Sequence, residues 1–113
     1  MKTVDKPWGK EIWFAMTQHY MGKILIINPN QQVSLHVHMY KEETFYIEQG
    51  DMQLSNNGHS KIYKAGRRVH IKPRTKHSMQ AFDEKVILFE VSTPHPEDSV
   101  RIKDYYGRPC EKC

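Results

Sequence analysis

Two histidines separated by a single residue, His36 and His38, are followed five positions later by a carboxylate, Glu43. In an extended strand the side chains alternate between faces, so the two imidazoles share one face and Val33, Leu35 and Val37 take the other. After the intervening turn, alternation puts Glu43, Phe45 and Ile47 on one face and Thr44, Tyr46 and Glu48 on the opposite one. Neutral imidazole and carboxylate converging from neighbouring strands suit a first-row divalent metal such as Zn, Fe, Mn, Ni or Cu. Taken alone, a His-x-His pair is more readily a solvated strand face on which histidine titrates without consequence. The surrounding residues weigh against that. Gly50 closes the Glu43 strand where a hairpin requires positive φ. Further on, Gly66, Pro73 and His77 bracket another strand and add a fourth candidate ligand.

The elements that must position these residues are short strands. Residues 11–16 read as a first strand, entered through Lys6-Pro7-Trp8-Gly9, and residues 22–27 form a β-branched run closed by Asn28-Pro29-Asn30. Residues 51–55 and 59–64 flank Asn56-Asn57-Gly58, a strong hairpin turn. Residues 69–72, 77–82 and 86–91 supply the remaining strands, and helix is confined to a turn near residues 96–100. Short, evenly spaced strands without a helical period predict an all-β barrel or jelly roll.

A chain of 113 residues is expected to form one domain with a core over residues 6–94 and a tail over 95–113. Its mean hydropathy of −0.74 and 38% hydrophobic content suit a barrel with a wet pocket better than a thick sandwich core. A net charge of +4 is a weak pointer to anionic ligands, and no basic stripe interleaved with aromatics points to nucleic acid. Neither an apolar leader nor a membrane-spanning apolar run is visible, so a cytoplasmic protein without membrane partners is expected. The Cys110-x-x-Cys113 pair lacks the further ligands of a closed zinc site and reads as a solvated tail.

The spacing His36-x-His38-x4-Glu43-x6-Gly50, followed by Gly66, Pro73 and His77, resembles the paired motifs of the cupin superfamily. That resemblance implies a small β-barrel and a single divalent metal (Zn, Fe, Mn or Ni) held by His36, His38, Glu43 and His77. Lys6-Pro7-Trp8-Gly9, Ser34-Leu35-His36-Val37-His38, Glu90-Val91-Ser92-Thr93-Pro94 and Asp104-Tyr105-Tyr106-Gly107-Arg108 carry the likeness further. They are similar to small cupins related to the type II mannose-6-phosphate isomerase domain, which is often fused to mannose-1-phosphate guanylyltransferase. The chain departs from that pattern at His36, where the family has Gln, and at Lys41, where it has Arg. Asn30 and Arg74 stand where glycines are common, and Ala81 replaces a common Asn. No nucleotidyltransferase segment is seen, so that activity is not expected of this chain.

The resemblance implies a metal-dependent isomerase acting on a phosphorylated or nucleotide-linked sugar, in a pocket that prefers anions. Glu90, with Glu42 as the alternative, would move the proton, and Lys41 is placed with Glu90 among the catalytic residues. Lys41, Arg67 and Arg74 would meet the phosphate, with Arg68, Lys72 and Lys76 nearby, and Phe45 would line the substrate site. Whether Glu90 faces the barrel interior stays open, because an unbroken apolar run hides its parity. A metal-dependent Fe or Mn dioxygenase and a non-catalytic sugar- or anion-binding module remain as alternatives. Trp8 and Trp13 read as packing residues. His70 falls outside the ligand set by parity, and His19, His59 and His95 read as solvent histidines. Arg101, Asp104, Tyr106 and Arg108 would dock the tail, with a phosphate contact as the lesser alternative, and the aromatic N-terminal strand suits a homodimer.

Overall fold

β-branched and aromatic runs punctuated by Pro, Gly and Asn fold into eleven strands, with no helix among the described residues. The computed structural model describes residues 1–95, 98–103 and 105–106. The strands are β1 (Lys2–Lys6), β2 (Gly9–Met16), β3 (Met21–Ile27), β4 (Leu35–His38), β5 (Glu43–Gln49) and β6 (Met52–Asn56). They continue with β7 (His59–Tyr63), β8 (Arg68–Ile71), β9 (His77–Ala81), β10 (Val86–Ser92) and β11 (Ser99–Lys103). A six-stranded sheet runs β1-β2-β3-β10-β5-β8 and a five-stranded sheet runs β11-β4-β9-β6-β7, with every pairing antiparallel. This is the expected all-β jelly-roll barrel. No helix among the described residues is long and apolar enough to cross a membrane.

The inner faces grade from apolar to polar along the strands. On β10, Val86 and Leu88 are followed on the same buried face by Glu90 and Ser92. Register aligns this gradient across the sheet, since Val86 pairs with Ile27 and Leu88 with Leu25, whereas Glu90 pairs with Lys23. On the other side Glu90 opposes Phe45 and Ser92 opposes Glu43. Ile27, Ile47, Met52, Leu54, Val86 and Leu88 belong to the buried apolar cluster. The polar end of the same strands forms the candidate site.

Three stretches differ from the pattern expected from sequence. The polar segment Lys-Thr-Val-Asp-Lys has no apolar alternation, yet it forms β1 because β2 offers a complete antiparallel partner from Lys2↔Trp13 to Lys6↔Gly9. Residues 99–103 form a strand instead of a helical turn, paired with β4 from Ser99↔His38 to Lys103↔Leu35. Pro96 and Glu97, the start of the expected turn, lie outside the described residues. Val33 does not share the outer face of Leu35 and Val37. It precedes β4 and is buried, as is Ser34, so strict alternation begins only at Leu35.

Local backbone chemistry fixes the connections. Asn57 and Gly58 both adopt positive φ (48° and 86°) between the paired residues Asn56 and His59, as a two-residue primed hairpin requires. Asn30 adopts φ 62°, which an asparagine tolerates. Arg74 adopts φ 65°, and its N–H donates to the His38 carbonyl at 2.6 Å, tying the loop before His77 to the strand of the other histidines. Tyr106 docks the tail: its hydroxyl donates to Gln31 Oε1 at 2.7 Å and accepts from the Gln32 N–H at 3.1 Å. Asp104 and Arg108, expected to share that role, lie outside the described residues, as do Cys110 and Cys113.

Gly50 is the position most exposed to test. It has φ 84°, and a Cβ there would stand 2.5 Å from the Lys85 carbonyl oxygen. Backbone cannot yield as a side chain would, so Gly50→Ala is expected to lose about 2 kcal/mol or more of unfolding free energy. Equilibrium denaturation measures this, and a stability equal to wild type would contradict the assigned turn.

Candidate metal centre

β4 presents His36 and His38 to the barrel interior, β5 presents Glu43 at its first residue, and β9 presents His77 at its first residue. His36 and His77 oppose each other across the β4–β9 pairing. The outer nitrogens of these two rings are committed. His36 Nδ1 donates to the Ser34 carbonyl at 2.8 Å and His77 Nδ1 to the Thr75 carbonyl at 2.9 Å. Because a carbonyl only accepts, each of these rings carries a proton on Nδ1 and turns Nε2 inward. The centroids of His36 and His77 are 4.2 Å apart, and those of His36 and His38 are 5.0 Å apart.

Glu43 Oε1 lies 2.9 Å from His77 Nε2 and 3.5 Å from His38 Nε2. Neither Oε1 nor His77 Nε2 has a hydrogen-bond partner, although both are buried. Burial keeps two of the three imidazoles, His36 and His38, from supplying the proton. Burial, reinforced by His77 and His38, holds His36 well below the usual imidazole range. Burial likewise lowers His38 to about 4, against the opposing pull of Glu43. The inward Nε2 atoms and the buried carboxylate oxygen form a donor-rich centre that a cation could complete. One donor atom from each of His36, His38, Glu43 and His77 lies within 4.8 Å of the others. Two ligands on opposite sides of one ion with bonds of about 2.1 Å stand about 4.2 Å apart, so slight contraction closes the set. These four residues fit a divalent metal and could hold one.

Next to them is a buried charge bridge. Lys41 Nζ lies 2.8 Å from Glu90 Oε2 and 3.3 Å from Glu43 Oε2. Burial pulls the lysine down, but Glu90 and Glu43 outweigh it and hold its pKa above the ordinary value. Burial pushes Glu43 up, yet the contacts with His77 and Lys41 more than offset this and keep it well below the usual carboxylate range. Glu90 goes the other way. Burial and the charge of Glu43 raise it despite Lys41. The pKa values of the two carboxylates are therefore driven apart, Glu43 down and Glu90 up. The facing of Glu90, open from sequence, is inward.

These groups line a cavity of about 400 Å³. Of the residues expected to bind substrate, Lys41 and Phe45 line it, as does Glu90. Arg67 and Arg74 do not. Both are exposed, as are Arg68, Lys72 and Lys76, and none belongs to the lining. On β8 the inward positions are Val69 and Ile71, which turns Arg68 outward, and the others sit on connecting loops. Closeness in sequence to the metal motifs thus does not place these cations on the cavity wall. Glu42 is exposed and pairs with His70 at 2.5 Å on the outer surface, which removes it as the alternative base and agrees with leaving His70 outside the ligand set. His19 and His59 are exposed, and His95 is half-buried beside Thr93.

The lining also contains Lys6, Glu11 and Lys23, which sequence reasoning did not assign to the cavity, and Trp13 and Arg101, for which a sugar or phosphate contact was the lesser reading. Lys23 was within reach: it shares parity with the buried Leu25 and Ile27. Its Nζ lies 3.4 Å from Glu11 Oε1 and 4.3 Å from the Trp13 ring centroid, a cation on an aromatic face. Trp13 Nε1 donates to the same Glu11 oxygen at 2.9 Å. Burial would raise Glu11, but Lys23 and Lys6 prevail and lower it. Trp8 is a core residue that also reaches the cavity.

Comparison with known proteins agrees with this geometry. The family profile described as "Cupin domain" matches residues 23–92. Mannose-1-phosphate guanylyltransferase from Salmonella montevideo is 27% identical over 111 residues, covering 95% of this chain and 24% of that protein. The chain thus spans about a quarter of the curated relatives it matches, the second being covered to 23%. An uncharacterised protein with a double-stranded β-helix domain from Klebsiella pneumoniae superposes with TM-score 0.76 at 22% identity, over 89% of this chain and 86% of that one. A cupin-superfamily sugar phosphate isomerase from Silicibacter pomeroyi superposes with TM-score 0.72 at 13% identity, over 82% of this chain and 64% of that one. At such identities the structural likeness shows the fold alone.

Metal analysis tests the centre directly. The wild-type chain is expected to retain one divalent transition metal, and His36→Ala and His77→Ala to lose it, with metal affinity down at least tenfold. Stoichiometric metal retained by both variants would remove these residues from the ligand set.

Proposed function

The chain belongs to the cupin family, and from that premise we propose that it is a metal-dependent isomerase of a sugar phosphate, similar in action to mannose-6-phosphate isomerase. The observation that carries this is Glu90. It is a buried, cavity-facing carboxylate of raised pKa beside the four candidate ligands. Interconverting an aldose and a ketose requires one group to take a proton from the carbon beside the carbonyl and return it to the carbonyl carbon. The hydroxyl proton moves to the carbonyl oxygen, and no oxidant or reductant is needed. A carboxylate of raised pKa is suited to such transfers in both directions. Lys41 holds that carboxylate in place and donates to it while it is ionised. A divalent metal on His36, His38, Glu43 and His77 would supply a Lewis acid for the sugar oxygens. The cavity volume of about 400 Å³ falls within the range of small-molecule sites. The likeness to a mannose-1-phosphate enzyme and the shared fold of a sugar phosphate isomerase support the choice of substrate class.

A homodimer is also proposed. Phe89 and Val91 alternate with buried Leu88 and Glu90, so they point away from the barrel, and both are exposed, as are Phe14 and Met16 on β2. A second copy of the chain would cover this apolar face of the six-stranded sheet. Light scattering at roughly tens of micromolar should give twice the chain mass, and a monomer would remove the proposal.

The enzymatic reading is checked with the metal-loaded protein. Interconversion of mannose 6-phosphate and fructose 6-phosphate should be measurable, with deuterium entering the sugar in heavy water. Glu90→Gln should lower kcat by about 100- to 10,000-fold while metal content stays at the wild-type level. No turnover and no isotope exchange by the loaded wild type would overturn the isomerase. Oxygen consumption with iron bound would put an oxygenase in its place.

A further inference from the structure

We infer that Asp98 is a positioning residue for the acid–base pair: it clamps the loop between two candidate ligands and thereby sets the Lys41 ammonium on Glu90. This role deepens the isomerase reading and rests on it for the reaction, but not for the placement of Lys41.

Lys41 sits on the connection over residues 39–42, between His38 at the end of β4 and Glu43 at the start of β5. Lying outside the strands, this segment must find partners for its backbone groups elsewhere. One carboxylate oxygen serves two of them. Asp98 Oδ2 accepts from the Tyr40 N–H at 2.6 Å and from the Lys41 N–H at 2.9 Å. Thr93 takes the next residue: its Oγ1 accepts from the Glu42 N–H at 3.0 Å, and its own N–H donates to the Glu42 carbonyl at 3.0 Å. Consecutive N–H groups from Tyr40 to Glu42 are thus fastened to Thr93 and Asp98. Burial would raise the Asp98 carboxyl, but the Tyr40 and Lys41 N–H donors more than offset this and lower it. Both bonds are therefore made to a charged acceptor, the stronger kind.

The backbone clamp decides where the side chain ends. A lysine carries its ammonium on a flexible stem, so the point that Nζ reaches depends on where its Cα is held. Lys41 is only 3% exposed, and its Nζ meets Glu90 Oε2 at 2.8 Å and Glu43 Oε2 at 3.3 Å. The strand ends at His38 and Glu43 hold the feet of the loop, whereas Asp98 and Thr93 hold its crown. Asp98 is itself well anchored, because β11 begins at the next residue, with Ser99 paired to His38. Thr93 and Asp98 both lie outside residues 23–92. The family core thus provides the candidate ligands, Lys41 and Glu90, and the flanking segment holds the lysine in register with them.

Site-resolved acetylation tests the placement without turnover. The protein is treated with acetic anhydride, and the rate at each lysine is read by peptide mass spectrometry, with metal content measured alongside. Lys41 is expected to react slowly in wild type and about 10- to 100-fold faster in Asp98→Ala, the range expected for loss of hydrogen bonds to a charged group. Lys23, buried at 6% exposure and paired with Glu11, is the internal control and should stay at its wild-type rate. Asp98→Asn keeps an acceptor oxygen without the charge. It should show a smaller change in the same direction, and it carries the test if the alanine variant fails to fold. In the metal-loaded isomerase assay Asp98→Ala should lower kcat by about tenfold or more, with KM within about threefold of wild type and metal content unchanged. Unchanged Lys41 reactivity overturns the assignment, as does a rise shared by Lys23, which would mean general loosening. Loss of metal in step with kcat also overturns it, since the defect would then lie in the ligands. A wild-type kcat in a variant whose Lys41 has become reactive removes Asp98 from the reaction. If the loaded wild type turns nothing over, the isomerase falls, while selective labelling of Lys41 would leave the clamp standing.

Discussion

The constraint on which the rest depends is the burial of charge at one end of the barrel. Glu43 touches His38, His77 and Lys41 at once, and Lys41 also holds Glu90. All five side chains are buried. Removing one partner from such a group leaves an uncompensated charge, which costs about 3–5 kcal/mol, so the positions are coupled and cannot drift independently. One ammonium between two carboxylates does not balance them. Raising the pKa of Glu90 lessens the deficit, and a cation facing Glu43 Oε1 would complete it. The apolar residues at the other end of the same strands provide the compensating stability, because their inner faces change from Ile27, Leu25 and Val86, Leu88 to Lys23, Glu90 and Ser92 in register. The fold and the site are thus two halves of one set of strands.

Much of this was legible in the sequence for a simple reason. Where one strand face is buried, period-two alternation is a physical necessity, and His36, His38, Glu43 and Phe45 obeyed it. Gly50 and Asn57-Gly58 were readable because positive φ restricts the choice of residue. What escaped was decided by partners remote in the chain. β1 has no pattern of its own and exists through its pairing with β2. β11 was hidden behind Pro94 and Pro96, and its pairing with β4 spans about sixty residues of chain, so no local rule reports it. The direction of Glu90 became clear only when its register with Phe45 and Lys23 was known.

The cations show where sequence proximity misleads. Arg67, Arg68, Lys72, Arg74 and Lys76 surround the second metal motif in the chain, but β8 buries only Val69 and Ile71, and the loops carry the charges outward. Lys23 and Arg101 lie far from either motif in sequence and line the cavity. A basic residue reaches a barrel interior by parity on a strand, not by nearness to a ligand. Had parity been applied to residues 21–27, the alternation of Lys23 with Leu25 and Ile27 would have singled out an inward lysine.

Lys41 brings these points together. Read as a substitute for a family arginine, it suggests a phosphate contact, but its ammonium is committed to Glu43 and Glu90. A compact ammonium with three donors can bridge two carboxylates from one point, whereas a guanidinium fork would align best with one. At this position the lysine therefore holds Glu90 beside the four candidate ligands. Register sets Arg101 opposite His36, where it lines the same cavity.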